Sequence, residues 1–363
     1  MIIKSMQTLV LGGVMAVSMA VSAQQNVVNV YNWSDYIDPA VLEKFTAETG
    51  IKVVYDLFDS NDVLEAKLLA SNSGYDVVVP TLSFMARQIK AGVFMELDRS
   101  KLPNFSELDP ELMARIATVD PGNKHGIPYM WGTTGIGYNV AKVRAALGND
   151  APLNSWDLVF KPEYISRLAG CGVAMLDAPD EVIPTALNYL GEDPNSEDAK
   201  LITGKAKALF MAIRPHITYF HSSKYIDDLA NGDICVAVGW SGDILQAAAD
   251  AAKGVQVAYS IPKEGALLWF DIFGIPRDAR NVDNAHAFIN FMSRPDIAAA
   301  NSNLVSYANG VPASKPMINP AIVDNSAIYP PDEVLEKLFV RKMVGPKVDR
   351  VYTRTWTEIK TGK

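Results

Sequence analysis

Apolar runs and polar breaks along this 363-residue chain switch period repeatedly. A run of β-formers at 27–33 gives way, at Asp38-Pro39, to helix-spaced apolar positions over 39–49. Asp38 suits the cap, Pro39 the first turn and Gly50 the stop. "IKVVYDL" (51–57) reads as a strand, and "NDVLEAKLLASN" as a helix with Val63, Leu64, Leu68 and Leu69 on one face. "YDVVVP" (75–80) is continuously apolar, as in a strand buried on both faces of a parallel sheet. Further helices begin over 83–91 and at Asp109-Pro110. Strands alternating with helices in this way predict an α/β layer architecture.

The stretch "HGIPYMWGTTGIGYN" (125–139) breaks the alternation with a long, Gly-rich extended run that suits a crossing between lobes. A second α/β pattern follows: strand "CGVAMLD", helix "DEVIPTALNYLG", strand "GDICVAVGW" and helix "SGDILQAAADAAKG". "VQVAYSIP" then leads to "LLWFDIFGIP", which reads as a second crossing. Two α/β lobes joined by crossover strands make a bilobal clamp with its cleft at the hinge. The expected division is a signal peptide over 1–23, one lobe from 24–132 and 266–308, and a second from 133–265 and 309–363. No internal repeat or low-complexity segment is visible.

Composition narrows the class. An apolar fraction of 49% fits a globular chain, and the length suits roughly two domains at ~150 residues each. The N-terminus is the exception. Lys4, a short apolar run broken by Gly12 and Gly13, and the small residues Val21-Ser22-Ala23 predict a secretory signal peptide cleaved near Ala23. No later segment is long and apolar enough to span a bilayer, so the mature chain is expected to work unanchored outside the cytoplasm. Cleavage removes Lys4 and no acid, leaving 32 Lys and Arg against 41 Asp and Glu. An acidic chain without basic blocks repels phosphate backbones, which excludes nucleic acid and favours a cationic ligand. The two cysteines, Cys171 and Cys235, would meet an oxidising compartment, where a disulfide is expected over two buried free thiols.

In open α/β sheets, ligands sit beyond the carboxyl ends of strands. Those positions hold Trp33-Ser34-Asp35-Tyr36, Thr81-Leu82-Ser83, Asp177 with Asp180-Glu181, and Trp240-Ser241-Gly242-Asp243. The second crossing adds Trp269-Phe270-Asp271. Acids recur beside aromatic rings, with no Lys or Arg in these turns. Acids alone would repel one another if buried dry. With aromatic faces alongside, they suit ammonium groups on a methylene chain, cation–π attraction being worth up to ~2 kcal/mol when desolvated. Enzyme signatures fail individually. "GWSGD" places Asp243 where a nucleophile elbow needs its second Gly. His125, His216, His221 and His286 show no metal-pair spacing, "GIG" lacks the third Gly of a dinucleotide fingerprint, and Asp180-Glu181 share one turn rather than facing each other. No catalytic residue, metal site or cofactor is expected.

These motifs carry a resemblance over nearly the whole mature chain. "YNWSDYI", "GIKVVYD", "DVVVPT", "GIPYMWGTTGIGYN", "AGCGVAMLDAP", "YIDDLANGDICVAVGWSGD", "SIPKEGALLWFD" and "IYPP" are similar to those of bacterial periplasmic spermidine/putrescine-binding proteins, the soluble receptors of ABC-type importers. The resemblance implies a type II periplasmic-binding-protein clamp, a monomer in the periplasm that captures a polyamine and docks on an inner-membrane permease. It also implies that Trp33 and Tyr36 wall the ligand and that Ser34 and Asp35 line the turn. Thr81 would add a hydroxyl, and Glu181, Trp240, Asp243, Asp271 and Tyr307 would complete the box, with Cys171 and Cys235 bridged. Relatives preferring putrescine tend to carry Phe at the place of Trp269, and spermidine-preferring ones Trp, so spermidine is the expected ligand. The alternatives are a putrescine-preferring receptor and a polyamine sensor that signals to a membrane protein.

Overall fold

Eleven strands set the architecture seen in this computed structural model, which describes residues 26–70 and 72–363. The expected signal segment, 1–23, lies outside the described residues. In chain order the strands are β1 (Val27–Trp33), β2 (Lys52–Phe58), β3 (Val77–Val78), β4 (Gly126–Asn139), β5 (Val173–Met175) and β6 (Tyr219–Phe220). They continue with β7 (Val236–Trp240), β8 (Val257–Ser260), β9 (Leu267–Gly274), β10 (Ala308–Asn309) and β11 (Phe339–Val340). The main path runs β2-β1-β3-β9-β4-β7-β5-β6. At one end β1 pairs in parallel with β2 and β3, and at the other β5 pairs in parallel with β6 and β7.

Between these flanks run the two crossings anticipated from the Gly-rich and aromatic stretches. β4 pairs antiparallel with β9 from Gly126↔Gly274 to Thr134↔Leu267, then continues against β7 and β8 as far as Asn139. One 14-residue strand therefore serves both lobes. The fold is α/β and bilobal, as the alternation of strands and helices implied.

Helices pack each flank. The Pro39–Thr49 helix begins where the Asp38 carboxylate accepts the Ala40 N–H at 2.9 Å and ends at Gly50, whose φ of +70° avoids a Cβ clash. Its Phe45 meets Phe288 and Phe291 edge-on, at 5.3 and 5.2 Å. In the other lobe Trp156, Phe160, Phe210 and Trp356 form the equivalent aromatic core. Each fully buried ring of this kind stabilises by about 1.5–3 kcal/mol. Cys171 and Cys235 form the disulfide, with Cα atoms 5.5 Å apart.

Some boundaries differ from the sequence reading. In the Asn61–Leu69 helix only Leu64 and Leu68 are buried, while Val63 and Leu69 face solvent. The packed stripe is a single i, i+4 row because the helix lies at the margin of the sheet. "YDVVVP" yields two laddered residues, although Val77, Val78 and Val79 are all fully buried. Cys235 lies just before β7 rather than at its centre. Residues 309–319 are tied to the first lobe: the Asp109 N–H donates to the Gly310 carbonyl at 2.9 Å, and the Asn319 N–H to the Asn303 side-chain oxygen at 2.7 Å.

Candidate functional site

Strand ends from both flanks converge on one cavity of about 370 Å³, within the usual range for small-molecule sites. All eleven ligand-binding candidates line it: Trp33, Ser34, Asp35, Tyr36, Thr81, Glu181, Trp240, Asp243, Trp269, Asp271 and Tyr307.

The turn after β1 forms one wall. The Trp33 indole N–H donates to the Val79 carbonyl at 2.9 Å, and its ring tilts against Phe58 at 4.6 Å. Asp35 adopts φ +52°, a left-handed conformation that a short Asp side chain tolerates, and lies exposed at the rim beside Ser34. Tyr36 turns inward, held by the Tyr129 hydroxyl on its carbonyl and by edge contacts to Tyr129 and Tyr307.

Three carboxylates sit in the cavity, each held only by neutral donors. Asp271, 6% exposed on β9, accepts the Tyr36 hydroxyl and the Thr81 hydroxyl, both at 2.8 Å. Thr81 reaches it because an antiparallel bridge extends the β3–β9 ladder to that pair. Asp243, in the first turn of the Ser241–Ala249 helix, accepts Tyr225 at 2.7 Å and Tyr307 at 2.8 Å. Glu181, in the first turn of the Pro179–Tyr189 helix, accepts the Trp240 indole at 3.0 Å and the Thr134 hydroxyl.

Removal from water pushes all three carboxyls up: Asp271 to about 7, Asp243 to about 6 and Glu181 to about 8, the last also through neighbouring Asp180. The hydroxyl and indole donors oppose that rise without cancelling it. Six acids line the cavity against one cation, Lys224, whose ammonium is occupied by Asp228. The site is electrostatically incomplete, and positive charge would complete it.

Trp269 forms the floor. Its indole lies across Gly132, its cross-strand partner on β4, and meets Tyr307 edge-on at 5.1 Å. A Cβ at Gly132 would come within 2.5 Å of the indole ring, so the glycine makes room for the ring.

Other strand-end acids belong elsewhere. Asp177 turns away from the cavity to accept the Trp356 indole at 2.6 Å and the Lys360 ammonium at 2.8 Å. Neither Asp180 nor Ser83 lines the cavity. Conversely, the sequence reading passed over Phe58, Asp59 and Asn61, although they follow the carboxyl end of β2 and the same rule would have found them. It also passed over 222–227, which follow β6, a two-residue strand with no periodic signal. Tyr225 from that segment holds Asp243. Among the described residues, no group of three or more His, Cys, Asp and Glu is placed to hold a metal ion.

Comparison with known proteins places this geometry. The profile of the family described as bacterial extracellular solute-binding protein matches residues 40–331. The chain is 55% identical to the putrescine-binding periplasmic protein PotF of Escherichia coli strain K12, over 99% of this chain and 98% of that one. It is 31% identical to the spermidine/putrescine-binding periplasmic protein of Salmonella typhimurium, over 96% of each. Among solved structures it is similar to the spermidine/putrescine ABC transporter substrate-binding protein PotD of Streptococcus pneumoniae. There the TM-score is 0.80 and the identity 30%, over 93% of this chain and 99% of that one.

Proposed function

The chain belongs to the bacterial extracellular solute-binding proteins, and from that premise we propose that its cleft captures a polyamine in the periplasm for delivery to an ABC-type importer. It is a binding protein and carries no catalytic role. The observation that carries the reading is the set of three carboxylates, Asp271, Asp243 and Glu181, held by neutral donors and left without a cation. Ammonium groups supply the missing charge. The periplasmic, polyamine-named relatives support the same reading.

In this scheme Trp33, Trp240 and Trp269 lie along the methylene chain, adding cation–π attraction of up to ~2 kcal/mol where desolvated. Tyr36 and Thr81 fix Asp271, while Tyr307 fixes Asp243, so each carboxylate is oriented before ligand arrives. Ser34 and Asp35 stand at the rim on the entry path. Closure of the lobes then excludes water, which strengthens each ion pair.

We further propose spermidine as the preferred ligand. Its three ammonium groups match the three cavity carboxylates, whereas putrescine neutralises two and leaves one desolvated and unpaired. Trp269, the larger ring at the place where putrescine-preferring relatives tend to carry Phe, favours the same choice. A putrescine-preferring receptor is the second reading, favoured by the 55% identity to a protein named for putrescine binding.

Calorimetry on ligand-stripped, refolded protein with putrescine, cadaverine, spermidine and spermine decides between them. Spermidine is expected to bind at least tenfold more tightly than putrescine, and Trp269→Phe to narrow that gap. Tighter putrescine binding by the unmodified protein would remove the spermidine assignment and leave the polyamine receptor standing. No binding of any polyamine would remove both.

A further inference from the structure

Of the ion pairs in the described residues, one connects elements on opposite sides of the cleft. Arg87 lies in the Leu82–Lys90 helix, which begins at Thr81 on the first lobe's wall. Its guanidinium stacks on Phe84 at 4.1 Å and donates through Nε to Glu65 at 2.6 Å, which fixes its direction within the first lobe. Its Nη2 lies 3.9 Å from Asp62 of the same lobe, and its Nη1 reaches Asp349 at 3.6 Å. Asp349 stands in the first turn of the Pro346–Thr361 helix, which packs in the second lobe through Trp356 against Phe210 and Phe220. Neither Arg87 nor Asp349 lines the cavity.

We infer that Arg87 and Asp349 form a latch that favours the closed clamp before and after ligand arrives, without touching the ligand. The physical need is plain: the facing walls carry an excess of carboxylates, so closing the empty cleft brings like charges together. A cation of the first lobe set against an acid of the second offsets part of that repulsion at the outer edge. The guanidinium is already oriented by Glu65 and Phe84, so little rotamer freedom is lost when Asp349 arrives. Burial raises the carboxyl of Asp180, next to Glu181, and Arg341 lowers it more than the Arg87 guanidinium does, so the latch reaches the cavity electrostatically only weakly. Apparent affinity scales with the fraction of molecules able to close, so a latch acts on every ligand by one common factor.

This inference rests on the polyamine reading for its binding arm only. Asp349→Lys sets a second cation against Arg87 while leaving the Arg87–Glu65 pair in place. By small-angle scattering the ligand-free variant is expected to show a larger radius of gyration than the unmodified protein. Its Kd for putrescine and for spermidine is expected to rise by the same factor, about two- to fivefold, as befits a part-exposed ion pair. Arg87→Glu should act likewise, and the Arg87→Glu/Asp349→Lys double variant should recover both readouts. Unchanged scattering, unequal factors for the two ligands, or no recovery in the double variant would each overturn the latch. If no polyamine binds, the functional reading fails, and scattering on ligand-free protein still decides the latch.

Discussion

At the scale of single residues, the cavity works by holding carboxylates that lack a charge partner. Asp271 and Asp243 each accept two hydroxyl donors and no cation. Replacing either with Asn keeps the shape and removes the charge that an ammonium group needs. Removing one member of a desolvated ion pair typically costs ~3–5 kcal/mol, so Asp243→Asn and Asp271→Asn are each expected to weaken polyamine binding by a hundredfold or more in calorimetric titration. Losses below tenfold in both variants would place these residues outside the binding interaction. Asp243 was legible in the sequence because carboxyl ends of strands are where an α/β sheet presents side chains to a cleft, and Asp271 because it lies in the aromatic stretch read as the second crossing. Asp177 shows where that logic stops. It follows β5 as Glu181 does, but only the fold reveals that it faces Trp356 and Lys360. Tyr225, which orients Asp243, was illegible because its position depends on a two-residue strand with no pattern of its own.

At the scale of elements, β4 and β9 carry most of the consequence. The Gly-rich stretch read as a crossing because its apolar, extended pattern ran too long for one lobe. Its glycines have a further role that periodicity does not show. Gly132 lies opposite Trp269, and a methyl group there would overlap the indole at 2.5 Å. The ring is rigid and anchored to a central strand, so it must tilt or the strands must part, at a cost of about 1–3 kcal/mol for overpacking. Gly132→Ala is therefore expected to retain its far-ultraviolet circular dichroism, melt several degrees lower and bind polyamines at least tenfold more weakly. A variant with unchanged affinity would show that the Trp269 orientation does not matter to the ligand. The disulfide makes the opposite case. Cys235 enters β7 at the end remote from Trp240, about 16 Å away along the five-residue strand. The bridge spans a sequence separation of 64, for which the chain-entropy model gives about 4 kcal/mol. Reduction, or replacement of both cysteines by Ser, is expected to lower the melting temperature clearly while changing polyamine affinity less than threefold. A large loss of affinity with little change in melting would mean that the bridge shapes the cleft itself.

At the scale of the whole molecule, closing the cleft, folding the chain and taking up protons are coupled. Free carboxyls titrate near 4 in an unfolded chain, whereas in the cleft removal from water pushes Asp243, Asp271 and Glu181 up to about 6, 7 and 8. Between those limits the folded protein holds protons that the unfolded chain has released. These three groups therefore favour folding below pH 4, and that contribution declines as pH rises toward 8. Polyamine ammonium groups reverse the balance, because they stabilise the ionised carboxylates and so lower the same values. Binding should accordingly expel protons and strengthen as pH rises from about 5.5 to 8, within a range where the polyamine remains protonated. Calorimetry at pH 7 in two buffers of different ionisation enthalpy measures the first effect directly, and a net release of protons to the buffer is expected. Thermal melts with and without saturating ligand measure the second, the ligand-induced rise in melting temperature being expected to grow from pH 5.5 to pH 8. No net proton release, or an affinity that stays flat across that range, would mean that the carboxylates are already ionised in the free clamp. The incomplete charge of the cleft would then have to be met by something other than protons before the polyamine arrives.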